Sequence, residues 1–306
     1  MKKIIIKSII VIASIFISLS SVQAFSTEIA NEPVDINKKS KLTLEYNYGE
    51  YLFDEIDIEV HKIATMNESF LYTLTSEFEG YSIKLNGIKT NDEWLVLKNT
   101  LESYIIADEI TPLSINKVYN NKIELSDLEP GLYLIKTKTI EEEKYILKFD
   151  TVLINVPELK EDGTWNYEIV AKPKASEFTP IYEEVTYKVI KEWKDNEKNR
   201  PKEVQVEIYQ NGDIIENIKL SKENNWTYSW IALDDGSTWN VVERNVPKNY
   251  TVSILNKERN FYVINTSKEK NPKTSDSVYL YMYLFMGSIS GIVLLLLALS
   301  IKKNKN

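Results

Sequence analysis

Apolar and polar residues alternate with a period of two through most of this 306-residue chain, and that period leaves few folds open. Leu42, Leu44, Tyr46 and Tyr48 alternate with polar neighbours, as do Ile56, Ile58, Val60 and Lys62. The same text returns in KIELSDLEPGLYLIKTKT, in KYILKFDTVLINV and from Val185 to about Ser267. Successive side chains of an extended strand point to opposite faces, so this is the text of half-buried strands. Turn signals punctuate it at Pro130-Gly131, Asn211-Gly212 and Asp235-Gly236. One segment breaks the period. In TNDEWLVLKNTLESYIIADEI, Trp94, Leu97, Leu101, Tyr104 and Ile105 recur at spacings of three and four, which predicts a single amphipathic helix with Thr90 or Asn91 as N-cap.

The ends read differently. Lys2, Lys3 and Lys7 precede the apolar run IIVIASIFISL, and Val22-Gln23-Ala24 has the small-residue pattern of a secretory cleavage site, so residues 1–24 are expected to be a signal peptide cut between Ala24 and Phe25. Residues 278–301 carry no charge and suffice for a membrane helix, which needs roughly 20 apolar residues. Residues 302–306, with Lys302, Lys303 and Lys305, form a basic tail expected to stay cytoplasmic, which places the rest outside. Between these ends we expect a polar, disordered lead (25–39), a first domain (40–174), a short polar linker containing Pro180 (175–184) and a second domain (185–268).

Charge and composition exclude several functions. Without the signal and everything after Thr274, 31 basic and 44 acidic side chains remain, a net charge of −13, which repels nucleic acid. The chain has no cysteine, so disulfides, thiol catalysis and cysteine zinc sites are excluded. His61 is the single histidine, which rules out a multi-histidine metal site; its alternation predicts a surface position. The acidic run at Glu141 to Glu143 lacks ligand spacing and reads as a solvated turn. No cofactor is implied, and the 19 tyrosines are mostly those of ordinary β-sandwich packing.

The second domain holds the unusual chemistry. Parity puts Lys191 on one strand face with Val185, Tyr187, Val189 and Trp193, puts Glu243 with Trp239 and Val241, and puts Asn265 with Phe261 and Val263. Three polar groups therefore face one core. A buried ammonium tends to lose its proton and a buried carboxylate to keep one. Lys191 is then a candidate nucleophile toward the Asn265 carboxamide, with Glu243 polarising the amide and shuttling protons to the departing ammonia. Parity leaves a second reading open, a buried Lys–Glu ion pair with a hydrogen-bonded Asn.

Four motifs in order, KEWKDNEKNRPKEVQVEIYQNGD, NNWTYSW, WNVVERNVPKNYTV and FYVINTS, resemble the B-type repeat domain of Gram-positive collagen-binding adhesins and pilins over about 80 residues. The resemblance implies an Ig-like or prealbumin-like β-sandwich closed by an intramolecular isopeptide bond. The roles it implies fall on Lys191 and Asn265 as the linked pair and on Glu243 as the catalytic carboxyl. The fold class expected is all-β, with two tandem sandwiches of this kind, the first with a helical insertion. Asn271-Pro272-Lys273-Thr274-Ser275, in the motif region 271–276, resembles a cell-wall sorting signal, with Asn for the usual Leu and Ser for the usual Gly. This resemblance implies sortase cleavage after Thr274. The stretch TVLINVPELKEDGTWNYEIVAKPK is similar to the N-terminal domain of short pilins and their pilin motif. Trp165, Ile169, Ala171, Lys172, Pro173 and Lys174 take the motif positions, with Lys172 for a Tyr and Ala171 for a Val, and Lys174 would be the acceptor amine. Lys62 also lies on an apolar face, but Lys136 and Thr137 stand where a partner glutamate is expected, so no second bond is assigned.

The function these readings imply is that of a sortase-anchored surface protein, a minor or basal pilin subunit, joined to peptidoglycan or to another pilin and not an enzyme in the turnover sense. The alternative is a stand-alone wall-anchored adhesin that binds a host matrix protein.

Overall fold

The computed structural model describes residues 30–141, 145–180, 182–197 and 200–268. The expected signal peptide with its Ala24–Phe25 cut, the sorting motif, the membrane span, the basic tail and Glu142–Glu143 lie outside the described residues.

The first domain is built from β1 (Ser40–Glu45), β2 (Ile56–Met66), β3 (Tyr72–Leu74), α1 (Asn91–Ala107), β4 (Ser114–Val118), β5 (Lys122–Leu128), β6 (Gly131–Thr137), β7 (Ile140–Glu141), β8 (Ile146–Phe149), β9 (Val152–Val156), β10 (Glu158–Leu159), β11 (Trp165–Asn166), β12 (Glu168–Ala171) and β13 (Ala175–Phe178). A five-stranded sheet runs β3-β2-β6-β9, with β4 also paired to β2. A three-stranded sheet of order β12-β1-β5 lies against it, and one core fills the space with Leu42, Leu44, Ile58, Val60, Tyr133, Ile135 and Ile154. The opposite face of the five-stranded sheet is not solvated. Trp94, Leu97, Leu101 and Ile105 of α1 cover it, against Ile63, Leu132, Leu134 and Leu153. Consecutive residues of β6 and β9 are therefore buried on alternate sides. Thr90 caps α1 through a reciprocal capping box with Glu93. Gly131 is required at the start of β6: a Cβ there would stand 2.3 Å from the Ala64 carbonyl oxygen, beside the register shift in β2.

This helix overturns the surface position expected for His61. The imidazole is 1% exposed, because α1 buries the face of β2 that alternation marked as solvated. Two segments also differ from expectation. Val34 is buried in the helix-side core, Trp165 Nε1 donates to the Glu32 carbonyl and the Asn31 N–H to the Gly163 carbonyl, so residues 31–34 of the lead are docked. The first half of the expected linker is β13, which pairs with β8.

The second domain comprises β14 (Glu184–Lys194), β15 (Glu203–Gln210), β16 (Asp213–Ser221), β17 (Thr227–Leu233), β18 (Trp239–Arg244), β19 (Tyr250–Lys257) and β20 (Asn260–Ser267). Sheets of order β17-β14-β20-β19 and β16-β15-β18 enclose Val189, Val206, Ile208, Val241, Ile254, Phe261 and Val263. The β15–β16 hairpin turns at Asn211-Gly212, both with positive φ as a primed two-residue turn demands. The first and last strands, β14 and β20, are parallel neighbours with Lys191 opposite Val263 and Trp193 opposite Asn265. The two domains share an apolar interface, in which Tyr104 of α1 belongs to the second domain's core.

Candidate functional site

The register of β14 and β20 brings Lys191 and Asn265 together. Paired residues of neighbouring strands share a face, so Lys191, Trp193, Val263 and Asn265 all point inward, with Asn265 one diagonal step from Lys191. Glu243 descends from β18 of the facing sheet, where it pairs with the buried Val206. Lys191 is 4% exposed, Glu243 1% and Asn265 0%. Lys191 Nζ lies 3.5 Å from Glu243 Oε2, and Asn265 Nδ2 donates to Glu243 Oε1 at 2.8 Å. The amine also donates to the carbonyls of Glu192 (3.0 Å) and Val263 (3.1 Å). Among the described residues, Glu243 Oε2 and Asn265 Oδ1 accept no hydrogen bond although both are buried.

Electrostatics shift both groups toward their uncharged forms. Burial pushes the Lys191 amine down to about 8, with the nearby Glu243 carboxylate opposing the shift. Burial likewise pushes the Glu243 carboxyl above its ordinary value, with Lys191 and Asn265 opposing. A pair with a lowered lysine and a raised glutamate is suited to nucleophilic attack with general acid–base help. A half-turn of the Asn265 side-chain amide would set its carbonyl oxygen against Glu243, where a protonated carboxyl donates and polarises the carbon.

Sequence reasoning missed the wall behind the amine. Lys191 Nζ stands 4.1 Å from the Trp193 ring centroid, and the Arg200 guanidinium carbon 5.6 Å from the same ring. Arg200 Nε donates to both Asp195 carboxylate oxygens, at 2.9 and 3.1 Å, and Tyr250 Oη donates to Asp195 Oδ2 at 2.7 Å. Burial would raise the Asp195 carboxyl, but Arg200 and Tyr250 outweigh it and hold the group well below the usual range. The parity that selects Lys191 and Trp193 reaches Asp195 at its next step, so this clamp had a signal in the sequence.

The other candidates lie apart. Lys174 is exposed in the turn between β12 and β13, where its carbonyl accepts from the Asp150 N–H at 2.8 Å. Trp165 packs edge-on against Phe70, Ile169 and Ala171 are buried, and Lys172 pairs with Glu45 at 2.9 Å. Lys62 reaches the rim, where it and Lys39 each bond Glu129 at 2.8 Å.

Comparison with known proteins gives these residues a context. A collagen adhesin of Staphylococcus aureus is 28% identical over 226 residues, which is 65% of this chain and 18% of that protein. The chain thus spans less than a fifth of the curated relative it matches. Among solved structures, a single B repeat unit of the collagen binding surface protein of Staphylococcus aureus is 18% identical, with 75% of this chain and 99% of that one covered at a TM-score of 0.26. The full-length major pilin SpaD of Corynebacterium diphtheriae is 14% identical, with 76% and 65% covered at a TM-score of 0.29. The family model of the Cna protein B-type domain matches residues 187–266, nearly the whole of the sandwich from Glu184 to Ser267, and the resemblance carried by the four sequence motifs stands for that domain.

Proposed function

We propose that this chain is an exported surface protein anchored to the cell wall by sortase, a minor or basal pilin subunit whose second domain is locked by a Lys191–Asn265 isopeptide bond. The observation that carries the reading is the burial of an amine, a carboxyl and a carboxamide in mutual contact. The neutral Lys191 Nζ attacks Asn265 Cγ while Glu243 donates a proton toward the amide oxygen. The tetrahedral carbon then expels the side-chain nitrogen. That nitrogen leaves as ammonia, taking a proton that Nζ gives up and Glu243 relays. One C–N bond forms, one breaks, and no oxidant or cofactor is consumed. The step happens once per chain, so the protein is a structural one and not an enzyme in the turnover sense. Thr274, freed from Ser275 by sortase, is the point of attachment to peptidoglycan or to a neighbouring pilin, and Lys174 is the amine that accepts a neighbour's Thr. The exposure of Lys174 supports that role.

A second reading, a stand-alone adhesin for a host matrix protein, draws on the similarity to the collagen adhesin. Wall extracts decide between them: a polymeric ladder lost in Lys174→Ala supports the pilus, and a wall-bound monomer that retains matrix binding supports the adhesin. The cross-link is tested by the intact mass of Phe25–Thr274 beside Glu243→Ala, with peptide mapping for a Lys191–Asn265 link. Loss of one ammonia in the first alone is expected, and an unshifted wild-type mass returns the triad to a buried ion pair.

A further inference from the structure

We infer that Tyr104 and Asp108, at the end of the first domain's helix, are positioning residues for Glu243, so that the second domain's cross-link forms at full rate only when the first domain is docked. The inference rests on the isopeptide reading above.

The strand that carries Glu243 is covered from both sides. Trp239, Val241 and Glu243 of β18 share the face that parity directs to the sandwich core, yet Asn240 and Val242 between them are buried as well. Helix α1 packs against β18 and β19. Tyr104, 3% exposed, donates its hydroxyl to the Glu243 backbone carbonyl at 3.2 Å. Asp108, the C-cap of α1, bonds Arg244 Nη2 at 2.7 Å and accepts from the Tyr81 hydroxyl at 2.5 Å. Arg244 in turn bonds Glu207 (2.6 Å) and the Tyr209 hydroxyl (2.9 Å) on β15. The carbonyl of Glu243 and the side chain of the next residue are thus both fixed from the first domain.

The edge strand of the other sheet is closed in the same way. β19 pairs with β20 on one side only, and on its open side the Val252 N–H donates to the Ser82 carbonyl (2.9 Å) and the Ile254 N–H to Thr100 Oγ1 (2.8 Å). Undocking α1 would wet the back of β18 and the edge of β19. Among the described residues, the charged or titratable groups around Glu243 are Lys191 from β14, with Asp195 and Arg200 beyond it, and Tyr104 from α1, with Asp108 and Arg244 beyond it. Water among them would let Glu243 ionise and Lys191 keep its proton, the unreactive pair.

The test is a time course of ammonia loss, by intact mass, in full-length chain made by cell-free synthesis at pH 6 to 9. Tyr104→Phe removes one hydroxyl and should slow the loss roughly three- to tenfold, the worth of one hydrogen bond. Asp108→Asn should slow it too, Asp108→Glu should restore it, and the double variant Tyr104→Phe/Asp108→Asn should lower the maximum rate and widen the pH profile, its acid limb moving down with Glu243 and its alkaline limb up with Lys191. A helix that merely stabilises the fold would lower the melting temperature without moving that profile. Wild-type rate and profile in the double variant would overturn the inference while leaving the cross-link intact. No ammonia loss in the wild type would overturn both the inference and the isopeptide reading.

Discussion

On the isopeptide reading, replacing Glu243 with Gln removes the proton shuttle while nearly conserving volume. Gln fills the same volume and still accepts from Asn265 Nδ2 at the Oε1 position, so packing in the core is kept. On that reading the variant loses the cross-link. A Lys191–Asn265 bond closes a loop of 75 residues, and the chain-entropy relation gives such a closure about 4.5 kcal/mol. If the two docked domains, residues 30–268, melt as one unit, that corresponds to a fall in melting temperature of roughly 9–18 °C. A second cost arises because Lys191, 4% exposed, no longer faces a carboxylate; Lys191→Met in the Glu243→Gln background removes the amine, and the difference between the two variants measures its burial net of its bonds to the Glu192 and Val263 carbonyls. The assay is calorimetry paired with intact mass on the same samples. Glu243→Gln should retain its ammonia and melt well below the wild type. Either an ammonia lost on schedule in the variant, or a melting temperature within about 2 °C of wild type in a variant shown to lack the bond, refutes the reasoning.

Three other outcomes are expected. Asn265→Ala cannot form the proposed bond but keeps both titrating partners, so its stability relative to Asn265→Ala/Lys191→Met/Glu243→Gln should dip at intermediate pH. The raised Glu243 gives stability that is present below its ordinary value and lost as pH rises through the folded value, while the lowered Lys191 gives stability present above 10.5 and lost as pH falls toward about 8; urea midpoints that stay flat from pH 4 to 10 would contradict this. His61→Leu should raise stability by about 1 kcal/mol, because both ring nitrogens are buried without a hydrogen bond and Glu59 at 3.7 Å is too distant to supply one; a loss of stability in urea unfolding would show that the imidazole has a partner. Gly131→Ala drives a Cβ to 2.3 Å from the Ala64 carbonyl and should cost about 2 kcal/mol or more, against which an unchanged midpoint would count.

Period-two text placed Lys191, Glu243 and Asn265 in the core because a strand's faces are fixed by geometry alone. Lys191, Glu243 and Asn265 each share parity with hydrophobic neighbours, and each is buried in the core. Parity says nothing of what covers the other face. It read His61 as exposed and would equally have passed over Asn240 and Val242, since in all three cases the cover is α1, a segment distant in sequence. The helix itself was legible, down to Trp94, Leu97, Leu101, Tyr104 and Ile105, but its stripe serves two partners: Trp94 and Leu97 face the first domain's sheet while Tyr104 joins the second domain's core. The polar text of residues 175–184 reads as linker because β13 is short and pairs at an edge, where burial imposes little pattern.

The topology explains why a link between these two strands would matter under load. The chain enters the second domain at Glu184 and leaves after Ser267, at opposite ends of two parallel neighbours, so tension along the chain pulls β14 and β20 in opposite senses. Their ladder, from Lys188 opposite Asn260 to Lys194 opposite Thr266, meets that tension in shear. A covalent bond from Lys191 to Asn265 would carry the load from one strand to the other and relieve residues 192–264 of it. A disulfide at this place is closed to a chain without cysteine, whereas amide exchange needs only a dry cavity and a carboxyl that holds its proton. Trp193, β18 and the helix behind it bury the three side chains. The burial that makes a free Lys191 and Glu243 expensive is therefore the same burial that favours their neutral, reactive forms, and the core and the reaction place one requirement on the sequence.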